Sequence, residues 1–145
     1  MNSREIRTVR HRWRRYQASL KRAEEIREEL QRLQNSYLPG SGIVHVSRNR
    51  HWDGQDDVIA KMTRQENLHR ELKQCETLIQ SVRCDMEKLP HDSQRILLLL
   101  AWSERIPLAS LAEIYGLSRR RMQEMIHEAA MEIVAQPACL RAGKR

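Results

Sequence analysis

An all-α fold is predicted by three observations on this 145-residue chain. Leu, Glu, Arg and Gln are abundant, Val and Ile are sparse, and there are only 5 Gly, 4 Pro and no Phe, a composition that favours helix over strand. Apolar residues recur at steps of three and four, the spacing of one face of a helix. Proline and glycine fall at few places and leave long uninterrupted stretches between them. The expected architecture is two long coiled-coil-like helices, forming either an antiparallel hairpin or a dimerising pair, followed by a small bundle. By segment this is a basic start at 1–22, a long helical hairpin at 23–89 with its loop at about 39–54, a terminal domain at 90–136 and a basic tail at 137–145. With 40% apolar residues the chain can bury a modest core.

The first helix is expected over about Arg4 to Leu38, with Tyr16, Leu20, Ala23, Leu30, Leu33 and Tyr37 forming its stripe. Such a helix is about 50 Å long at 1.5 Å per residue, more than a small core can cover, so a coiled-coil partner is implied. Pro39, Gly40, Ser41 and Gly42 end it. The following "IVHVSRNRHWDG" reads as a loop, since an isolated strand would have no pairing partner. A second long helix is expected from about Gln55 to Leu89. Its Leu68, Leu72, Cys75, Ile79, Val82, Met86 and Leu89 alternate steps of four and three, an a/d heptad seam. Glu66, Glu71, Glu76 and Glu87 could face arginines of the first helix, within one chain or across a dimer.

Pro90 opens the terminal unit, with Asp92 or Ser93 as N-cap of an almost wholly apolar short helix that must be buried. Pro107 suits the start of the next helix, which runs to Tyr115. Gly116 then turns the chain, and Ser118 caps a last helix that continues to about Ala135.

Charge is unevenly spread. Residues 1–22 carry eight Lys and Arg against Glu5 alone, a formal +7; residues 23–90 sum to −2 and residues 91–145 to +2. A basic end of this kind attracts polyanions. For "REIRTVRHRWRRYQ" the functional expectation is a DNA-backbone arm using Arg10, Arg12, Arg14 and Arg15, with Trp13 and Tyr16 packed among the arginines. The plainer alternatives are a solubilising tail or a helix end paired with the acidic middle. A membrane-surface role is disfavoured because the apolar face over Ile6 and Val9 is small. No apolar stretch approaches the roughly 18 residues that span a bilayer, and no secretory h-region follows the basic start. Cys75, Cys84 and Cys139 lack zinc-ligand spacing and read as thiols in a reducing compartment, so the expected location is the cytoplasm.

Function concentrates in "IPLASLAEIYGLSRRRMQEM". Three arginines in the first turn of a helix oppose its dipole and one another, which an anionic partner would offset, and a helix N-terminus itself suits phosphate. Met122, Met125, Ile126, Ala129 and Ile133 form one face, to pack on Leu108, Leu111, Ala112 and Tyr115. Arg119, Arg120, Gln123, Glu124 and His127 then point outward with Arg121 at the edge. Arg bonds guanine bidentately, Gln adenine and Glu cytosine, so such a face can read base edges in a major groove. The pattern is a helix-turn-helix, with Leu111, Ala112, Tyr115, Gly116, Leu117, Met122 and Met125 as its core.

"SLAEIYGLSRRRMQEMIHEAAMEI" resembles the fourth conserved region of bacterial sigma-70 factors, which reads the −35 promoter element. The resemblance implies that Arg119, Arg120, Arg121 and Glu124 meet DNA and that Ser118 caps the helix beside a phosphate. Sigma factors proper carry a further domain for the −10 element and polymerase core, which nothing in these residues matches. The whole layout is similar to small phage and prophage regulators of the ArpU and RinA type, which control late genes. Expected partners are therefore double-stranded DNA, with RNA polymerase and a second copy of the chain, through the long helices, as further candidates. Base reading falls to Arg119, Arg120, Arg121, Gln123 and Glu124; backbone contact falls to Ser118 and His127 with the N-terminal arginines.

Two other functional classes stand beside this one: a DNA-packaging component of the small-terminase kind, and a coiled-coil adaptor. Arg48, Arg50, His51 and Trp52 in the loop could touch DNA or polymerase, or be plain loop residues. No cofactor or metal is expected, since His45, His51 and Asp53 in one loop lack a fixed fourth ligand. Nor is an enzyme expected: there is no phosphate-cradling glycine loop, nucleophile elbow or paired carboxylates at identifiable spacing.

Overall fold

A computed structural model of the chain describes residues 2–36 and 51–137. Among these residues every regular element is a helix: α1 (Asn2–Asn35), α2 (His51–Lys88), α3 (Asp92–Leu98) continuing as a π-helical turn (Leu99–Ser103), α4 (Leu108–Tyr115) and α5 (Arg119–Ala135). The all-α expectation is met. Of the anticipated loop at 39–54, residues 51–54 instead form the first turn of α2. The rest of that loop, with His45, Arg48 and Arg50, lies outside the described residues, as do the side chains of His51, Trp52 and Asp53, Tyr37 and the tail beyond Pro137. No described helix is long and apolar enough to cross a membrane.

Two compact units form, and their division falls inside both long helices: Leu20–Glu76 is one, and Met1–Ser19 with Thr77–Arg145 is the other. In the first, the later part of α1 pairs with α2 within the same chain. Ala23, Ile26 and Leu68 are fully buried between them, with Leu72 and Cys75 half-buried on the heptad seam. Charged side chains close the rim. Arg22 grips Glu71 with Nε donating to Oε2 at 2.6 Å and Nη2 to Oε1 at 2.9 Å. Arg64 grips Glu29 in the same bidentate way, at 2.9 and 3.0 Å, and Arg27 meets Glu76 at 3.1 Å. As the position on α1 rises from 22 to 29, its partner on α2 falls from 71 to 64, so the two segments are antiparallel. Hydrogen bonding from Arg22 holds the Glu71 carboxyl below its ordinary range, and Arg64 does the same to Glu29.

The second unit is built around Trp13, a side chain expected among the arginines of the basic start. Trp13 is fully buried and meets the edge of Trp102 at a centroid distance of 5.7 Å and an interplanar angle of 84°. Such T-shaped pairs contribute about 0.5–1.5 kcal/mol beyond burial. The stripe on this half of α1 is Val9, Trp13, Tyr16 and Ser19, all buried, at steps of four, three and three. The indole Nε1 donates to Asp85 Oδ2 at 3.1 Å, and Arg12 Nη2 donates to the same oxygen at 2.9 Å. Asp85 is 2% exposed, and a buried carboxylate needs such partners. Ser103 completes the seat by donating its hydroxyl to the Trp13 carbonyl at 2.8 Å.

The π-helical turn makes this seat possible. Its wider winding, marked by the Glu104 amide bonding Leu99 O at 2.8 Å, lets the consecutive residues Trp102 and Ser103 both face inward. The next amide bond, from Ile106 to Leu100 O at 3.0 Å, closes the turn over Arg105. That residue has φ 56°, a left-handed conformation costing an L-residue about 1–2 kcal/mol.

Past Leu89 the chain turns at Pro90, and Arg95 reaches back to the end of α2. Its Nε donates to Met86 O at 2.7 Å and its Nη2 to Leu89 O at 2.8 Å, while Gln136 at the end of α5 donates to Lys88 O at 2.7 Å. These side chains satisfy carbonyls that a helix end leaves bare. Asp92 pairs with Arg95 and belongs to the first turn of α3. The N-cap is His91, without a side-chain cap bond, so neither Asp92 nor Ser93 has the capping role expected. Leu97 and Leu98 of α3 are buried while Ile96 is 53% exposed, so this apolar helix is covered on part of its surface only.

The expectation of three thiols fails at Cys84, which is disulfide-bonded and buried. Spacing along the chain carries no sign of which cysteines a fold joins.

Candidate nucleic-acid interface

The turn between α4 and α5 sets the interface. Gly116 adopts φ 68°, ψ 33°, and the Leu117 amide bonds Ala112 O at 2.9 Å while the Gly116 amide bonds Glu113 O at 3.2 Å. This pair of bonds is the Schellman closure of a helix, with glycine at its left-handed position. A Cβ at Gly116 would meet nothing within 4 Å, so the demand for glycine comes from φ alone. Two residues on, Ser118 is extended and its Oγ accepts the Arg121 amide at 3.1 Å. The expected serine cap and glycine turn are both present.

Beneath the turn lies a cluster of Leu97, Leu111, Ala112 and Met122, with Tyr115, Met125 and Ile126 packed against it. Of the apolar residues expected to pack here, Leu111, Ala112, Tyr115, Met122 and Met125 lie in or against this cluster, while Leu117 is 38% exposed; its backbone, rather than its side chain, closes α4. Ala129 and Ile133 continue the buried face of α5.

The opposite face of α5 presents Arg119, Arg120, Arg121, Gln123, Glu124 and His127, all exposed. Glu124 stands between two of the arginines, 3.8 Å from Arg120 Nε and 3.4 Å from Arg121 Nη1. Arg121 also lies 3.9 Å from Glu128. These exposed pairs blunt the mutual repulsion of the first turn and are weak enough to open for a ligand. Arg119 has no ion pair among the described residues.

The N-terminal arginines separate into different roles. Arg12, expected on a DNA backbone, is instead held by buried Asp85, and its Nε is buried without a partner. Arg15 is exposed. Arg10 and Arg14 are one turn apart on α1, beside the buried Trp13, and line an open cleft of about 470 Å³ together with Arg105, Trp102, Leu111 and, from α5, Gln123. The stripe Val9, Trp13, Tyr16, at steps of four and three, was the signal that this segment is packed rather than free. Arg105 carried no such signal, because an arginine in a left-handed turn cannot be recognised from its neighbours. Among the described residues no group of His, Cys, Asp or Glu could hold a metal ion.

Compared with known proteins, the chain matches no family model, no curated protein and no solved structure.

Proposed function

We propose that this chain is a sequence-specific double-stranded DNA-binding transcriptional regulator that lays α5 in a major groove. One observation carries the reading. The exposed face of α5 gathers Arg119, Arg120, Arg121, Gln123 and Glu124 behind a capped N-terminus, while on its other face Met122 is buried in one cluster with Leu111 and Ala112 of α4. A groove about 12 Å wide admits a helix, and these side-chain types are those that pair with base edges. Ser118 and His127 border the face and are proposed to meet the backbone. The phage-regulator character, with RNA polymerase as a further partner, rests on the resemblance of the α4–α5 sequence to sigma-70 region 4 and of the layout to ArpU and RinA type proteins.

The test is selection from a random duplex library at moderate salt, with wild type and Arg120→Ala in parallel. An enriched motif in which Arg120→Ala loses preference at one position, by about 1–3 kcal/mol, is expected. Equal affinity and equal base preference for the two proteins would refute the placement of α5.

A further inference from the structure

We propose that the cleft between α1 and the turn before α4, walled by Arg10, Arg14 and Arg105, is a seat for the sugar-phosphate backbone of duplex DNA, so that α1 and α5 grip one duplex together. This rests on the reading of α5 given above and adds a second contact surface to it.

Three observations carry it. The lining holds three arginines and no acidic residue, and among the described residues none of the three has a carboxylate within ion-pair reach. Arginines that face the α1–α2 contact do have carboxylate partners: Arg12 with Asp85, Arg22 with Glu71, Arg27 with Glu76 and Arg64 with Glu29. Like charges left together around a concavity repel one another, and a phosphate relieves that repulsion while accepting their hydrogen bonds.

The second observation is backbone. Arg105 occupies a left-handed position at φ 56°, where glycine would sit without strain. A large cation held in that conformation at the rim of a cleft points to a role for its side chain.

The third is Gln123, which belongs both to this cleft and to the exposed face of α5 beside Arg120 and Glu124. A duplex whose major groove receives α5 must carry one of its two strands along the flank of that helix. On the Gln123 side the flank is this cleft. Trp102 forms part of its floor and is locked against Trp13, so Arg10 and Arg14 are held on a fixed wall and would contact the strand without the ordering cost of a flexible arm.

The experiment measures affinity for a fixed duplex as a function of salt for the full-length wild type, Arg105→Gly, Arg14→Gln, the combined variant and Arg120→Ala, with a thermal melt of each. Arg105→Gly relieves the left-handed strain, so it is expected to melt at or above the wild-type temperature. It should nevertheless bind all sequences more weakly, with the slope of log K against log salt flatter by about 0.9, and the combined variant by about twice that. Base preference should be unchanged in both. If the cleft variants keep the wild-type slope while Arg120→Ala loses base preference, the cleft is not a phosphate seat and the reading of α5 stands. Loss of one specific base by Arg105→Gly would overturn the backbone assignment in favour of base reading. A wild type that binds no duplex at low salt would overturn both proposals together.

Discussion

Gly116 and Asp85 show two ways in which a single residue governs this protein. At Gly116 the constraint is torsional. Replacement by Ala meets no neighbour yet must hold φ 68°, so it is expected to destabilise by about 1–2 kcal/mol, and Asn by less, since Asn tolerates the left-handed region. Chemical denaturation of the two variants measures the difference. At Asp85 the constraint is electrostatic. Asp85→Ala leaves the buried Trp13 indole N–H and the Arg12 guanidinium without their acceptor, and a loss of about 3 kcal/mol is expected; a loss below about 1 kcal/mol would mean that water replaces the carboxylate. Gly116 and Ser118 could be read from the sequence because turns and caps are local chemistry. Asp85 could not, since a carboxylate on a heptad helix looks solvated until the fold brings Trp13 and Arg12 to it. Leu117 misled for a related reason: its place in the motif is set by its amide, which any residue but proline possesses.

The helices differ in how openly their contacts were written. The seam of α2 from Leu68 to Leu89 keeps its spacing of four and three throughout, with Leu68, Ile79, Val82 and Leu89 buried along it. The stripe of α1 was harder to follow, since its buried residues change from Val9, Trp13 and Tyr16 to Ala23 and Ile26 as it passes from one set of neighbours to another. On the rim of the α1–α2 pair, Glu29 and Glu71 have carboxyls held below their ordinary range by Arg64 and Arg22. A depressed folded-state value means that the stabilisation is fully present above the unfolded carboxylate pKa, about 4.3, and is lost as pH falls through the lower folded values. Melts of wild type and of Glu29→Gln with Glu71→Gln should therefore differ near pH 7 and converge in acid; a gap that persists at about pH 2 would show that packing, not charge, is responsible. The pairs are partly open to solvent, so the gap is expected to be small. At the far end of α2, Arg95→Ala removes donors to Met86 and Leu89 carbonyls and is expected to cost about 1–3 kcal/mol in a thermal or denaturant melt.

For the whole molecule, the basic start and the terminal bundle belong to one compact unit. Deleting residues 2–19 would strip Trp13 from Trp102 and leave Asp85 buried without Arg12. The expected result is a loss of at least about 3 kcal/mol and of the near-ultraviolet signal of packed tryptophan; a truncated chain with an unchanged melt would show that the bundle stands without α1. The sequence by itself determined the helical class, the heptad seam of α2, the glycine turn, the serine cap and the exposed basic face of α5, because composition, periodicity and capping act within a few residues. Only the tertiary structure decided that α1 and α2 pair within one chain, that Trp13 is core, that Arg12 is held by Asp85, and that Arg10, Arg14 and Arg105 share a cleft with Gln123. Those outcomes depend on side chains some 35 to 110 positions apart, and no local pattern encodes which distant residue a packed surface will meet.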